Sequence, residues 1–189
     1  FSVMRAHGAA VADLAVLVVA ADEGVKPQTR EAIEILKKTE TPFVVAITKI
    51  DNPNANIEKV KNELLEVEVL LEGYGGSISW QGVSGITGEG VEDLLDILIL
   101  AGEIAGFTYH PGVSASGFVL ESSKDARRGI VAHLILKEGV LHSGEEIKTP
   151  SVSGKVKILE NFLGKRVKEL VPSAPALVVG FENLPKSGE

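Results

Sequence analysis

The sequence predicts two domains of different class, an α/β domain over residues 1–107 and a small all-β barrel domain over residues 108–189. In the first part, unbroken apolar runs of strand length alternate with segments of helical periodicity, which is typical of a parallel sheet with helices on both faces. In the second part, short strands are separated by Gly and Pro turns, which indicates a small closed barrel. The net charge changes at the same point, from −9 to +2.

Three apolar runs are the predicted strands of the first domain. They span Leu14–Ala21, Phe43–Ile47 and the weaker Ile78–Val83. Because apolar residues fill consecutive positions and not only alternate ones, we expect each strand to be covered on both faces.

Three segments between and after these strands have helical periodicity, and they span Thr29–Lys38, Ile57–Val67 and Gly90–Ile104. Apolar residues recur every three or four positions, so each segment is expected to turn one face inward. The inward residues are predicted to be Ala32, Ile33, Ile35, Leu36, Ile57, Val60, Leu64, Val67, Val91, Leu94, Leu95, Leu98 and Ile99. The alternation of strand and helix implies right-handed crossovers.

The second domain follows a predicted linker at Pro111-Gly112. Its clearest strands are Gly117–Glu121, Ile130–Leu136 and Lys155–Leu159, with glycine- or proline-containing turns between them. Two basic clusters lie in this domain: Lys124, Arg127 and Arg128, and then Lys155, Lys157, Lys165, Arg166 and Lys168. Both interpretations of them remain open, solvated strand edges and turns or a surface that docks onto RNA.

Composition excludes several kinds of site. There is no cysteine, so disulfides and thiolate metal sites are impossible, and His7, His110, His133 and His142 show no metal-ligand spacing. We therefore predict no metal site.

No stretch has the length and apolarity of a membrane span, and the acidic first domain is a poor match for non-specific nucleic-acid binding. The first residues resemble neither an initiator methionine nor a signal peptide, so we expect the chain to be a piece of a longer polypeptide.

The second predicted strand runs into Thr48-Lys49-Ile50-Asp51. In an open α/β sheet, ligands bind beyond the carboxyl ends of the strands. A fixed carboxylate at Asp51 can accept two hydrogen bonds from the adjacent N–H and NH2 donors of guanine, and adenine lacks that pair of donors. The stem of Lys49 can lie over the base while its ammonium stays hydrated. The alternative is a plain strand-end turn in which Asp51 caps the next element and Pro53 stops the strand.

The third predicted strand runs into Ser84-Gly85-Ile86 and then a glycine-rich turn. A backbone N–H in this segment can reach O6 of the same base, since Gly85 allows close approach. The alternative is a β-to-α turn in which Thr87 or Glu89 serves the helix start. Because the two motifs follow successive strands, we expect them to converge in space.

Several stretches resemble bacterial translation initiation factor 2, a translational GTPase, and they occur in the same order. These are Arg5–Ala9, Leu17–Thr29, Thr48–Asp51 and Ser84–Gly90 in the first domain, and Gly117–Glu121, Arg128–Ala132 and Gly139–Glu145 in the second. The resemblance covers essentially all 189 residues. It implies part of a P-loop-type GTPase domain followed by the β-barrel second domain of translation factors.

The resemblance also implies a function and a set of site residues. The intact parent would be a cytoplasmic GTPase that promotes initiator tRNA binding and ribosomal subunit joining. The residues implied to contact GTP or GDP are Thr48, Lys49, Asp51, Ser84, Gly85 and Ile86. The barrel would dock on the ribosome, and the tRNA-binding domain would lie elsewhere in the parent. A non-catalytic ribosome-binding module and a fragment of an elongation factor are the alternatives.

This sequence departs from the family pattern at three places. Thr48 stands where the family usually has asparagine, and Ile86 stands where it has lysine. No G-x-x-x-x-G-K-S/T phosphate loop is present in the 189 residues. We therefore expect no catalytic residue and no magnesium site in this chain, with only the guanine half of the nucleotide pocket retained. His7 is expected to be an exposed residue of the first helix, not the histidine that positions the attacking water.

In the family's sheet, the phosphate-loop strand lies beside the strand that corresponds to Leu14–Ala21. Without that neighbour, this apolar strand becomes an edge, which is a template for pairing with another chain. We expect the edge to be covered by a second copy, by a rearranged N-terminal segment or by another tight association.

Overall fold

The computed structural model describes Gly8 and residues 11–189. The chain forms two compact units, one ending at Phe107 and the other spanning Thr108–Glu189. Within the described part of the chain, no helix is long and apolar enough to cross a membrane.

The first unit contains a three-stranded parallel sheet. Its strands are β1 (Ala15–Ala20), β2 (Phe43–Thr48) and β3 (Trp80–Gly82), in the order β1-β2-β3. All three predicted strands are therefore confirmed, the third in a shorter form. The strands end together, because Ala20 of β1 pairs with Thr48 and Ile47 of β2 pairs with Gly82.

The helices of this unit are α1 (Pro27–Lys38), α2 (Ile57–Glu66) and α3 (Val91–Ala105). Helix α1 begins two residues earlier than predicted, because proline is well suited to the first helical position. Helix α2 is capped by Asn56, whose side-chain oxygen accepts a hydrogen bond from the Lys59 backbone N–H at 2.9 Å. Asp51 therefore does not cap the next helix.

Helices α1 and α2 cover one face of the sheet. Their buried side chains Ile33, Leu36, Val60 and Leu64 pack with Leu17, Val19, Val45, Ile47, Val69 and Leu71. This cluster confirms the inward faces predicted for α1 and α2, since an apolar stripe on each helix is removed from water.

The opposite face differs from the expectation that every strand is covered on both sides. On β1, Val16 is 40% and Val18 is 57% exposed. Helix α3 packs over β2 and β3 but buries none of its residues fully. Leu95 is 53% and Ile99 is 62% exposed, and Val91 is exposed as well, so their predicted inward orientation is wrong.

The segment between α2 and β3 is fixed by a buried lysine. Lys61 is only 7% exposed, and its Nζ lies 4.0 Å from the centroid of the Trp80 ring. The same ammonium donates to Glu58 Oε1 at 2.8 Å and to the Tyr74 hydroxyl at 3.1 Å. A cation held over an aromatic face with its hydrogen bonds satisfied locks the short β3 strand to α2.

The second unit is an antiparallel sheet that curls. Five strands are hydrogen-bonded in the order β4-β5-β10-β8-β7, and a short β6-β9 pair accompanies them. These strands are β4 (Ser116–Asp125), β5 (Gly129–Glu138), β6 (Leu141–His142), β7 (Glu146–Lys148), β8 (Ser153–Asn161), β9 (Glu169–Leu170) and β10 (Pro175–Phe181). The three predicted strands are confirmed in longer forms, as β4, β5 and β8.

Glu189 links the two edges of this curled sheet. The Val119 backbone N–H on β4 donates to the carbonyl oxygen of Glu189 at 2.8 Å. The Thr149 hydroxyl, just after β7, donates to Oε2 of the same glutamate at 2.9 Å. The predicted barrel is therefore present as a half-barrel whose edges are joined by a side chain and not by a strand ladder.

Candidate functional site

The candidate site lies at the carboxyl ends of the three parallel strands. The Ala21 N–H donates to the Thr48 carbonyl at 2.8 Å, and the Val83 N–H donates to the Ile47 carbonyl at 2.8 Å. A longer bond of 3.4 Å joins the Ile50 N–H to the Val83 carbonyl. The structure thus brings the two predicted loops, residues 48–51 and 84–86, onto neighbouring strand ends.

Lys49 has the most constrained backbone in the first loop, with φ of +59° in the left-handed region. Its ammonium lies 3.0 Å from Glu23 Oε1 and 3.3 Å from Asp22 Oδ1. Hydrogen bonds from Lys49 to Glu23 and then to Asp22 raise the pKa of the lysine above its usual value. The Lys49 side chain is about half exposed, so its ammonium stays in contact with water while the loop after β1 also holds it.

Sequence reasoning gave no role to Asp22, which proves to connect two loops. Its Oδ2 accepts a hydrogen bond of 2.9 Å from the Asn52 side-chain amide, while its buried Oδ1 faces Lys49 without forming a hydrogen bond. The signal available in the sequence was a pair of carboxylates, Asp22 and Glu23, immediately after an apolar strand. A carboxylate at that position can contact a cation that follows the neighbouring strand, because the carboxyl ends of parallel strands lie at the same edge of the sheet.

The loop after β1 is itself held in place from α2. Glu63 Oε2 accepts a hydrogen bond of 2.7 Å from the Val25 backbone N–H. Gly24 beside it has φ of +79°, and a side chain there would collide with the Glu63 carboxylate. This packing fixes the direction in which Asp22 and Glu23 present their carboxylates to Lys49.

Asp51 differs from these carboxylates because it is exposed and has no hydrogen-bond or ion-pair partner among the residues that the structure describes. The backbone around it is ordered by a 3.0 Å bond from the Asn52 N–H to the Lys49 carbonyl. Thr48 is half-buried at the strand end. Both acceptor oxygens of Asp51 are therefore available to a ligand.

Ser84 organises the second loop. It is fully buried, and its hydroxyl oxygen accepts hydrogen bonds from the backbone N–H groups of Ile86 at 3.2 Å and Thr87 at 3.0 Å. Its own N–H donates to the Glu89 carbonyl at 2.9 Å. In this described loop, the Gly85 N–H is left without an acceptor.

The other residues of the second loop have different roles from those predicted. The Ile86 side chain is 87% exposed, and its N–H is already bonded to Ser84. Helix α3 starts from Gly90, which has φ of +70° and no side-chain cap, so neither Thr87 nor Glu89 caps it. The space around Gly85 is open, and its backbone can be approached from outside.

The two loops offer two acceptor oxygens on Asp51 and one donor, the Gly85 N–H, and the ammonium of Lys49 is held by the loop after β1. A planar ring with adjacent N–H and NH2 donors beside a carbonyl oxygen has the complementary edge, and guanine is such a ring.

The described residues contain no group of three or more His, Cys, Asp or Glu side chains placed to hold a metal ion. His142 illustrates the alternative use of histidine, because its Nδ1 lies 3.0 Å from Glu145 Oε1 on the surface of the half-barrel. His7 and part of the Arg5–Ala9 stretch lie outside the described residues.

Two family models match the chain. The model described as "Elongation factor Tu GTP binding domain" matches residues 1–102, and that described as "Elongation factor G domain 2" matches residues 114–189. The first of these covers more than half of the chain.

Curated relatives match over the full length. Translation initiation factor 2 of Shouchella clausii is 42% identical over 189 residues, which are all of this chain and 25% of the relative. The factor of the same name from Rubrobacter xylanophilus is 44% identical over 188 residues, which make up 27% of the relative. The chain thus spans about a quarter of the length of the curated relatives that it matches.

Solved structures agree on the fold. Translation elongation factor SelB from Methanococcus maripaludis, in complex with the GTP analogue GPPNHP, superposes with a TM-score of 0.75 at 26% identity. The match covers 97% of this chain and 40% of that one. The apo form of the same factor gives the same TM-score.

Proposed function

The chain belongs to the translational GTPase family, and from that premise we propose that it is part of a GTP-dependent translation initiation factor. The family assignment implies that the intact parent binds and hydrolyses GTP. We propose that the parent acts in the cytoplasm, where it promotes initiator tRNA binding and ribosomal subunit joining. The half-barrel would contact the ribosome, and tRNA would be held by a domain outside these 189 residues.

The initiation-factor assignment is favoured over an elongation factor by sequence identity. Curated initiation factors reach 42–44% identity over the chain, whereas the elongation factor SelB shares its fold at 26%. The third possibility, a non-catalytic ribosome-binding module, describes the chain alone better than its parent. It would require that the parent lack a phosphate loop altogether.

The proposal rests on two groups that have no hydrogen-bond partner among the described residues, the Asp51 carboxylate and the Gly85 N–H. We propose that Asp51 accepts the ring N–H and NH2 of guanine and that the Gly85 N–H donates to O6. Lys49, fixed by Asp22 and Glu23, would cover the base with its stem. Thr48 would support the loop from the strand end, and Ser84 and Ile86 would orient the Gly85 peptide.

The retained corner fits a guanine base, and the phosphates and magnesium ion would need residues that this chain does not supply. Most of the affinity of such proteins for GTP comes from backbone N–H groups around the phosphates, a lysine and the metal ion. We therefore propose that the 189-residue chain binds guanine nucleotides very weakly and hydrolyses none. Micromolar GDP binding in a calorimetric titration of this chain would overturn that statement.

The test of the base-reading role uses the intact parent with Asp51→Asn. One acceptor oxygen then becomes an NH2 group that faces the donors of guanine, so the preference for GTP over ATP should fall by roughly a thousandfold or more. Asp93→Asn, an exposed carboxylate on α3, is the matched control and should keep the preference. If Asp51→Asn keeps it too, Asp51 is not part of the site.

We also propose that β1 mediates self-association of this chain. The strand pairs with β2 on one side, and its other side has no strand partner among the described residues. Its exposed Val16 and Val18 add apolar surface beside that free edge. A second copy pairing there would satisfy the backbone groups and remove the valines from water.

A further inference from the structure

The turn that follows β8 is more rigid than its exposed position suggests. The side-chain oxygen of Asn161 accepts hydrogen bonds from the N–H groups of Leu163 at 3.0 Å and Lys165 at 3.1 Å. The Gly164 N–H donates to the Asn161 carbonyl at 2.9 Å, and Gly164 has φ of +70°. Four residues are thus locked into one conformation by a single asparagine.

This rigid turn presents apolar side chains to water. Phe162 is 71% exposed and Leu163 is 62% exposed, whereas Phe181 on β10 of the same unit is 8% exposed. A single exposed apolar residue is ordinary. An aromatic ring fixed outward at the tip of an ordered turn is a surface already arranged for contact, because docking would cost little further ordering.

The chain on either side of the turn carries unpaired cations. Five exposed side chains have no ion-pair partner among the described residues: Lys155, Lys157, Lys165, Arg166 and Lys168. The carboxylate at the end of β8, Glu160, is already paired with Arg128 at 2.9 Å. In the first unit, by contrast, Lys37, Lys49, Lys59 and Lys61 each have a carboxylate within ion-pair distance.

Backbone bonds place Lys165 and Arg166 beside the end of β8. The Val167 N–H donates to the Leu159 carbonyl at 2.9 Å, and the Glu160 and Arg166 backbones form an antiparallel bridge. The segment after the turn therefore runs back beside the end of β8. Lys165 and Arg166 follow Phe162 closely along the chain, and Lys155 and Lys157 lie further back on β8.

We propose that this turn is a docking site for a looped, single-stranded segment of RNA. An unstacked base would lie against the Phe162 ring, and the neighbouring phosphates would contact Lys165, Arg166 and the lysines of β8. Base stacking on an aromatic ring tolerates any base, and unpaired cations are what a phosphate backbone requires. A protein partner is less well matched, because the core of a protein interface is usually depleted of lysine. The inference rests on the proposed function, which makes ribosomal RNA the source of the ligand.

The test uses the 189-residue chain and two fluorescein-labelled RNAs, a hairpin with an unpaired loop and a duplex formed from the same stem. Anisotropy titrations over a salt series give the affinity and its salt dependence. Phe162→Ala should weaken hairpin binding by about tenfold and leave duplex binding unchanged, because only the loop offers a free base to stack. Phe162→Trp should retain binding, and Leu184→Ala, which truncates another exposed apolar side chain of this unit, should have no effect.

The charge contribution is tested with Lys165→Glu combined with Arg166→Glu. This variant should weaken both RNAs and lower the salt slope by about one or more, since each lost phosphate contact removes roughly 0.7 from it on a single strand. Arg30→Glu combined with Lys38→Glu makes the same charge change on α1 and should keep most of the affinity. Circular dichroism confirms that each variant folds.

Sedimentation with purified ribosomes separates this inference from the proposed function. If the chain binds ribosomes and Phe162→Ala weakens that binding along with hairpin binding, both stand. If Phe162→Ala binds the hairpin as well as the unaltered chain does, the RNA site is overturned. If Phe162→Ala weakens ribosome binding but binds both the hairpin and the duplex as well as the unaltered chain does, the turn docks on a protein and the RNA proposal fails. If hairpin binding depends on Phe162 but the chain does not bind ribosomes, the RNA site stands and ribosome docking fails.

Discussion

The ammonium of Lys49 lies 3.0 Å from the carboxylate of Glu23, and this ion pair joins the loop that follows β2 to the loop that follows β1. Lys49 reaches Glu23 from a left-handed backbone conformation, which costs free energy in a lysine and needs support from its surroundings. The pair thus positions the candidate base-reading loop through a strand neighbour that is distant in sequence.

We predict that Glu23→Gln lowers the pKa of Lys49, because the hydrogen bond to Glu23 is the main cause that raises it above 10.5. A raised lysine pKa contributes stability below 10.5, and that contribution is lost as pH rises through the folded-state pKa. The unaltered chain should therefore lose more stability than the variant between neutral and strongly alkaline pH, as measured by urea unfolding. The exposed Glu34→Gln should behave like the unaltered chain, and equal alkaline losses in all three proteins would contradict the prediction.

The two glycines of the loop before α3 should respond in opposite ways to substitution. Gly90→Ala should destabilise the first unit by about 2–4 kcal/mol, because φ is +70° and a methyl group would collide with the Gly82 carbonyl. Gly85→Ala should cost under about 0.5 kcal/mol, because the space there is open. Denaturant unfolding of both variants checks the contrast. Similar losses of unfolding free energy in the two variants would contradict the conformation described for this loop.

Replacing the buried Lys61 should weaken the attachment of β3. Lys61→Met keeps most of the side-chain volume but removes the charge from the Trp80 ring and the hydrogen bonds to Glu58 and Tyr74. We expect a loss of about 1–2 kcal/mol in unfolding free energy. Lys59→Met, on an exposed lysine of the same helix, should change stability by less than about 0.5 kcal/mol. Equal effects of the two variants would show that the buried ammonium contributes nothing specific.

The free edge of β1 should govern association of the chain in solution. Val18→Lys places a charge on the exposed side of that strand, which disfavours pairing with another strand, so the variant should sediment as a monomer at concentrations where the unaltered chain associates. Val113→Lys, at a similarly exposed valine of the second unit, should leave association unchanged. A monomeric unaltered chain that shows no tendency to aggregate would refute the role of this edge.

Elements whose ends are marked by turn or capping residues were predicted well. The boundaries of β2 and α2 agree with the structure to within one residue, because such a residue stands next to the apolar pattern of each. Helix α3 was also located correctly, but of its predicted inward residues only Leu94 and Leu98 are half-buried, while Val91, Leu95 and Ile99 are exposed. Its sequence is apolar on several sides, so periodicity alone cannot say which stripe meets the sheet.

The candidate site was predicted in part. Thr48, Lys49, Asp51 and Ser84–Ile86 do lie at adjoining strand ends, as the order of strands along the chain suggested. The roles of Asp22 and Asn52 in joining loops were not predicted, because they depend on which loop each side chain faces. A list of polar residues after a strand does not contain that information.

By itself, the sequence determined the class of each half and the place of the two candidate loops, because periodicity and turn residues act over a few neighbouring positions. Tertiary structure decided which carboxylates are used and which remain free. Glu23 and Asp22 hold Lys49, Arg128 holds Glu160, and Asp51 keeps both oxygens available. These assignments depend on distances of a few ångströms between segments far apart in the chain, and only the packing of strands and helices sets such distances.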